Sequence, residues 1–275
     1  MGLYTLSLCS GIGALDLGFK IAVPHSRTIC YVEREAYAIA VLAAHIENKS
    51  LDEAPIWTDL TTFDGKPWRG VVDCIIAGIP CQPYSLAGER MGDEDERAIW
   101  PELVRIIGET NPALVFLENV AGQLQLFRPI GEALSELGFE FEGGLYSASE
   151  VGATHQRERL FILAASIFAG KRFLANSNGK GLENRKEQES LGGNSSTKRD
   201  RPSLFPPRPI DPQWGTILKQ YPESAPAVEF DFRRMDDGTP NRVDRLRALG
   251  NTVVPLQAAY AFTALASRER FGNYF

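Results

Sequence analysis

Residues 3–19 read LYTLSLCSGIGALDLGF. An apolar run, Leu3–Leu8, leads into a turn with glycines at 11 and 13, and a helix-like stretch, Ile12–Lys20, follows. Strand, glycine turn and helix together form an opening where backbone can approach a ligand closely. The helix N-terminus adds N–H groups and the positive end of its dipole. The G-x-G-x-x-G dinucleotide pattern is not completed, because Asp16 stands at the third glycine position, and no G-x-x-x-x-G-K-[ST] occurs. Taken alone, a G-x-G turn reads equally well as a plain tight turn. The next strand ends at Glu33, about 20 residues on, where a carboxylate can accept bonds from ribose hydroxyls. An ordinary surface acid at a strand end would look the same. The combination points to an adenosine-bearing cofactor other than a dinucleotide.

Outward from this unit, Thr28–Val32, Val72–Ala77, Ala113–Glu118 and Arg159–Ala165 read as further strands rich in Val, Ile, Leu and Phe. Between them lie the helical stretches Ala36–His45, Trp100–Thr110 and Pro129–Leu137. Apolar strands alternating with helices predict an α/β, Rossmann-like fold: a mixed, mostly parallel sheet with helices on both faces. The character changes after Phe173, where 176–212 is rich in Asn, Ser, Gly, Lys and Pro and reads as loop. A last helix, Pro255–Arg268, carries an apolar face through Leu256, Ala259, Phe262 and Leu265. Residues 1–165 with 248–275 are therefore expected to form one catalytic and cofactor-binding domain, with 166–247 inserted as a small second lobe.

Charge supports that division. The whole chain of 275 residues has a net charge of −6, yet residues 166–247 hold 15 basic and 11 acidic side chains, which leaves −10 on the rest. Concentrated basic charge suits a polyanion, although a solvated insert would carry it too. An apolar content of 44% is that of an ordinary globular protein. No run of about 18 uncharged apolar residues exists to span a membrane, and the first residues lack a secretion signal's basic and apolar regions. Cys9, Cys30, Cys74 and Cys81 show no C-x-x-C spacing, and His25, His45 and His155 are scattered. Neither a metal site nor a disulfide framework is expected, and a reducing cytoplasmic setting is.

Two strand ends carry chemistry. CIIAGIPCQPYS delivers Cys81 between two prolines, which stiffen the turn, at the carboxyl end of a strand, where open α/β sheets bind ligands. A lone cysteine is more often a small buried hydrophobe than a nucleophile, and that is the reading for Cys74, Cys9 and Cys30. PALVFLENV presents Glu118 in the same manner, and in a dry pocket its raised pKa would let it protonate a ring nitrogen. In GATHQRERLF, Arg157 and Arg159 alternate on an incipient strand and are expected to face one side. They could lower the thiol's pKa, hold the acid or clamp a phosphate, and surface salt bridges would account for them equally.

In this order the segments SLCSGIGALDLGF, YVERE, TDL, GIPCQPYS, DERAIW, LENV, HQRERLF and RALGNTVVP resemble the DNA (cytosine-5) methyltransferase family across nearly the whole chain. The wording of RRMDDGTPNRVDRLRALGN is similar to its phage and prophage members, a bacterial or phage-encoded, cytoplasmic setting. The resemblance implies an S-adenosylmethionine-dependent enzyme of DNA methylation and restriction-modification. Cys9, Ser10, Gly11, Ile12 and Gly13 would hold the methionine part of the cofactor. Glu33 would take the ribose, with Arg34 against the adenine and Asp59 and Leu60 contacting it. Gly78, Pro80, Asn251 and Val253 would complete that pocket. Cys81 would attack carbon 6 of cytosine, Glu118 would protonate towards nitrogen 3, Arg159 would orient ring or acid, and Arg157 would support the site or a phosphate. Gln82, Ser85 and Arg97 would contact DNA from a closing loop, and the 166–247 lobe would recognise the target.

Departures from the family pattern are Ala14 for a second glycine, Tyr84 for the commoner Phe, Arg34 at an often hydrophobic position, and Thr154–His155 for Pro-Gln. Two rivals share the scaffold: a tRNA cytosine methyltransferase, against which the basic insert speaks, and a catalytically silent DNA-binding protein, which has no need of a proline-flanked thiol. The expected partner is duplex DNA, with no membrane and no metal, and the enzyme is expected to be a monomer.

Overall fold

The computed structural model describes residues 2–79, 99–167, 250–268 and Phe271. The expected recognition lobe, 166–247, lies almost wholly outside the described residues, as do Pro80, Cys81, Gln82, Ser85 and Arg97. Among the described residues, strands β1 (Tyr4–Leu8), β2 (Arg27–Val32), β3 (Ile56–Trp57), β4 (Cys74–Gly78), β5 (Leu114–Val120), β6 (Phe139–Tyr146) and β7 (Arg159–Ser166) form one sheet in the order β3-β2-β1-β4-β5-β7-β6. The pairs β3-β2, β2-β1, β1-β4 and β4-β5 are parallel, while β7 runs antiparallel to both β5 and β6. The helices are α1 (Ala14–Ala22), α2 (Ala36–Glu47), α3 (Ile99–Thr110), α4 (Phe127–Glu136) and α5 (Pro255–Ala266).

The five expected strands and five expected helices all form, with ends displaced by a few residues. Two strands carried too little signal to be expected. β3 is two residues long. β6 reads FEFEGGLY, an edge strand whose acids and paired glycines break the apolar run.

Side chains alternate across the sheet and make two cores. Leu6, Leu8, Ile75, Ala77, Val115, Leu117 and Leu160 pack with Leu103, Ile106 and Ile107 of α3 and Ile130 and Leu134 of α4. On the other face Ile76, Phe116, Phe161 and Leu163 meet Leu15 and Phe19 of α1 and Ala258, Phe262 and Leu265 of α5. α5 buries Gln257, Ala258 and Ala261 as well as Ala259, Phe262 and Leu265, so its inward face is broader than the expected stripe and takes in a polar residue.

α1 and α5 touch at Gly18. A Cβ there would lie 2.5 Å from the Pro255 carbonyl oxygen and 2.6 Å from the Ala258 Cβ, both on a neighbouring helix that cannot swing aside. This contact seats the C-terminal stretch beside the glycine turn.

Asp16, also on α1, is buried, and its carboxyl accepts bonds from the hydroxyls of Ser7 on β1 at 3.0 Å and Thr28 on β2 at 3.3 Å. It ties the helix start to both strands beneath the turn. Burial pushes this carboxyl up to about 7, against the pull of the two hydroxyls, and the charge of Asp52 adds to the rise.

Two outcomes are expected. Gly18→Val lowers stability by about 1–3 kcal/mol through overpacking, read as a fall in Tm. Asp16 binds its proton more tightly folded than unfolded, so its contribution is whole at acid pH and is lost as pH rises through about 7. Asp16→Asn is therefore expected to flatten the fall in Tm between about pH 4 and pH 7. An unchanged Tm–pH curve in the variant would refute it.

Candidate active site

Strand order reverses at β1, whose neighbours are β2 on one side and β4 on the other, so a crevice opens beyond their carboxyl ends. The turn from Cys9 to Gly13 fills its floor. Cys9, Gly11 and Gly13 all have positive φ (50°, 55° and 82°). The expected helix start at Ile12 moves to Ala14 because Gly13, at the helix cap, is left-handed. Ser10 anchors the turn: its amide donates to the Val32 carbonyl at 3.0 Å, and its hydroxyl lies 3.1 Å from the Ser7 carbonyl oxygen. Among the described residues, a Cβ on Gly11 would meet nothing within 4 Å, so the turn is open there, while Gly13 packs against Leu51 and Leu42.

Glu33 ends β2 against this turn. Its two carboxylate oxygens accept the amides of Gly11 at 2.7 Å and Glu35 at 2.8 Å. A carboxylate offers about four acceptor positions, so ribose hydroxyls can still be taken. Asp59 accepts the Thr61 amide and hydroxyl at 2.9 and 2.7 Å, and those bonds hold its pKa below the usual carboxylate value, with Arg34 helping. The Arg34 charge also acts on Cys9.

The Asp59–Gly65 stretch is held from α3. Arg105 donates to the carbonyls of Leu60 and Phe63, and Glu109 accepts the Gly65 amide at 2.8 Å. Arg105 and Glu109 went unread in the sequence, where charges on a helix look like a solvated face.

On the other side of the crevice, the parallel register sets Gly78 opposite Glu118 and Leu8 opposite Ala77, bringing Cys9, Gly78 and Glu118 abreast. A Cβ on Gly78 would lie 3.5 Å from the Cys9 carbonyl oxygen and 3.6 Å from Oε2 of Glu118. The chain leaves β4 with the Ile79 amide donating to the Glu118 carbonyl at 2.8 Å.

Because β7 runs antiparallel to β5, its first residue pairs with Val120, so Arg159 arrives beside Glu118. Arg159 Nε stands 2.9 Å from Glu118 Oε1 in an ion pair buried on both sides. The N–H does not point along that line, and Oε1 accepts no hydrogen bond. Burial pushes the Glu118 carboxyl up to about 7, restrained by Arg159 and then Arg157.

Arg157 does not lie on the strand with Arg159 as the alternation predicts. Its φ is 42°, left-handed, and β7 begins two residues later. Its guanidinium donates to the carbonyls of Gly250 and Thr252. Burial, then Arg159, holds its pKa below the usual arginine value. Val253 packs among the residues of α1, and Asn251 is exposed.

The three described cysteines are poor nucleophiles. Burial pushes Cys9 up to about 12 and Cys30 to about 11, and holds Cys74 well above the ordinary thiol value. No cluster of three or more His, Cys, Asp or Glu side chains able to hold a metal occurs among the described residues, and no described helix is long and apolar enough to cross a membrane.

Comparison with known proteins agrees with this geometry. A type II methyltransferase of Neisseria gonorrhoeae, M.NgoMIV, is 31% identical over 58% of this chain and 51% of its own. The type II methyltransferase M.CviJI of Paramecium bursaria Chlorella virus IL3A is 28% identical over 96% of this chain and 60% of its own. The chain thus spans about half to three-fifths of the length of these relatives. The S. pombe Dnmt2 methyltransferase structure, 15% identical, shares the fold with a TM-score of 0.60, covering 96% of this chain and 98% of that one. The sheet is accordingly the Rossmann-like methyltransferase sheet, and the C-5 cytosine-specific DNA methylase family model matches residues 3–204, nearly three-quarters of the chain. This chain belongs to the C-5 cytosine-specific DNA methylase family.

Proposed function

We propose that the chain transfers a methyl group from S-adenosylmethionine to carbon 5 of cytosine in duplex DNA. The observation that carries this reading is Glu118: a buried carboxyl, proton-bearing near neutral pH, set abreast of an open glycine turn.

The residues present fit the cofactor. The turn is open at Gly11 among the described residues, Glu33 retains acceptor capacity, and the Arg34 charge acts on Asp59. Cys9, Ser10, Gly11, Ile12 and Gly13 would hold the methionine part and Glu33 the ribose. Asp59, Leu60 and Arg34 would meet the adenine, and Gly78, Pro80, Asn251 and Val253 would close the pocket. When bound, the cofactor supplies an electrophilic methyl on a sulfonium.

Carbon 5 of cytosine is a weak nucleophile and needs activation. The Cys81 thiolate attacks carbon 6 while Glu118 gives its proton towards nitrogen 3, leaving an enamine whose carbon 5 takes the methyl group. Loss of the carbon 5 proton to water, departure of the Cys81 thiolate and return of the nitrogen 3 proton to Glu118 restore the ring. Arg159 fixes the acid from one side, and its charge keeps the Glu118 proton transferable. Because a stacked base cannot reach such a site, the cytosine is turned out of the helix, with Gln82, Ser85 and Arg97 contacting DNA and 166–247 choosing the sequence.

Incubation of the protein with labelled S-adenosylmethionine and cytosine-containing duplex DNA is expected to give 5-methylcytosine, and Cys81→Ser to give none. Label in tRNA alone would overturn the choice of DNA. Glu118→Gln is expected to lower kcat by about 10²–10⁴-fold with the cofactor still bound. Glu118 is protonated below about 7, so wild-type kcat/KM is expected to fall as pH rises above that value, a limb the variant lacks.

A further inference from the structure

We infer that Gln257 is a positioning residue for the Glu118–Arg159 pair, acting through the main chain of Arg157 and the carbonyls of Gly250 and Thr252. This rests on the reading of Glu118 as the proton donor.

Gln257 lies on the inward face of α5 with no exposure at all, among Ala258, Ala261, Phe262 and Leu265. A carboxamide in such surroundings costs free energy unless it is bonded. Its Nε2 donates two bonds of 2.8 Å each, to the carbonyls of Tyr146 and Arg157, while Oε1 has no partner. Both acceptors are main-chain groups flanking the connection between β6 and β7, so one amide fixes where β6 ends and how the chain enters β7.

The held residue is not an ordinary one. Arg157 sits at a φ of 42°, a conformation unfavourable for a non-glycine residue that persists only where neighbours impose it. That conformation turns its guanidinium away from the strand and onto Gly250 and Thr252. The Gly250 carbonyl in turn receives Arg159 at 3.4 Å, so the two arginines share one acceptor. A continuous path therefore runs from the Gln257 amide, through the Arg157 backbone and side chain, to Gly250, Arg159 and Glu118. Among the described residues the charged groups acting on Glu118 are Arg159 and Arg157. Freeing Arg157 weakens that positive charge, and Glu118 then holds its proton to higher pH.

The test uses the full chain and three readouts: methyl transfer to duplex DNA, Tm, and hydrogen exchange at residues 250–254. Gln257→Met, which keeps volume and removes the donor, is expected to lower kcat about tenfold or more while the cofactor KM moves less than about twofold. The alkaline limb of kcat/KM is expected to move to higher pH, which a merely structural role would not do. Gln257→Met combined with Arg157→Ala is expected to be no slower than Arg157→Ala alone, since both break one path. Multiplying effects, or a lowered Tm with an unmoved pH limb, would overturn the assignment. If Gln257→Met does not fold, Gln257→Asn, whose amide falls one methylene short, takes its place. If the wild type transfers no methyl group, the proposed function fails by itself. Exchange then decides: faster exchange of the Thr252–Val254 amides in the variant supports the path, and unchanged exchange removes it.

Discussion

A single reversed strand governs this site. β7 enters the sheet antiparallel to β5, so its beginning, not its end, stands at the edge where the parallel strands finish. Arg159, the first residue of β7, consequently meets Glu118 near the end of β5. Were β7 parallel, that arginine would sit at the opposite edge of the sheet, about 20 Å away for a strand of this length. The acid would then be left buried without a cation.

The pair is more useful to chemistry than to stability. Removing two charges from water costs several kcal/mol per ion, and attraction returns that only with good geometry and further hydrogen bonds. Here the geometry is incomplete: Oε1 of Glu118 and Nε of Arg159 stand 2.9 Å apart without an aligned hydrogen bond. Burial accordingly outweighs the arginines, and the carboxyl rises to about 7 instead of falling.

Backbone conformation shapes both sides of the crevice. Cys9 and Arg157, neither of them glycine, both adopt left-handed φ, one on each side of the crevice. Each is held by main-chain and side-chain bonds from elements distant in sequence: Ser10 reaches β2, and Gln257 reaches Arg157 across a hundred positions. The α1–α5 contact at Gly18 is what allows the second of these, since it brings the C-terminal helix against the first βα unit. Asp16 secures the same helix from beneath through Ser7 and Thr28.

The sequence by itself determined the parts whose causes are local. Apolar runs of strand length, helical periodicity and the glycines at 11 and 13 announce the βα framework. Strand-end positions draw attention to Glu33 and Glu118, although for Glu33 an ordinary surface acid would read the same. Only the tertiary structure decided what depends on partners far along the chain. The direction of β7 and the pairing of FEFEGGLY as an edge strand follow from neighbours, not from residue pattern. The left-handed turn of Arg157 departs from the alternation that places it beside Arg159, because Gln257, Gly250 and Thr252 impose another conformation. The role of Gln257 is invisible in PLQAAYAF, where one polar residue on an apolar helix could face either way. Local preference is written residue by residue, whereas a buried amide's partners exist only once the chain has folded around it.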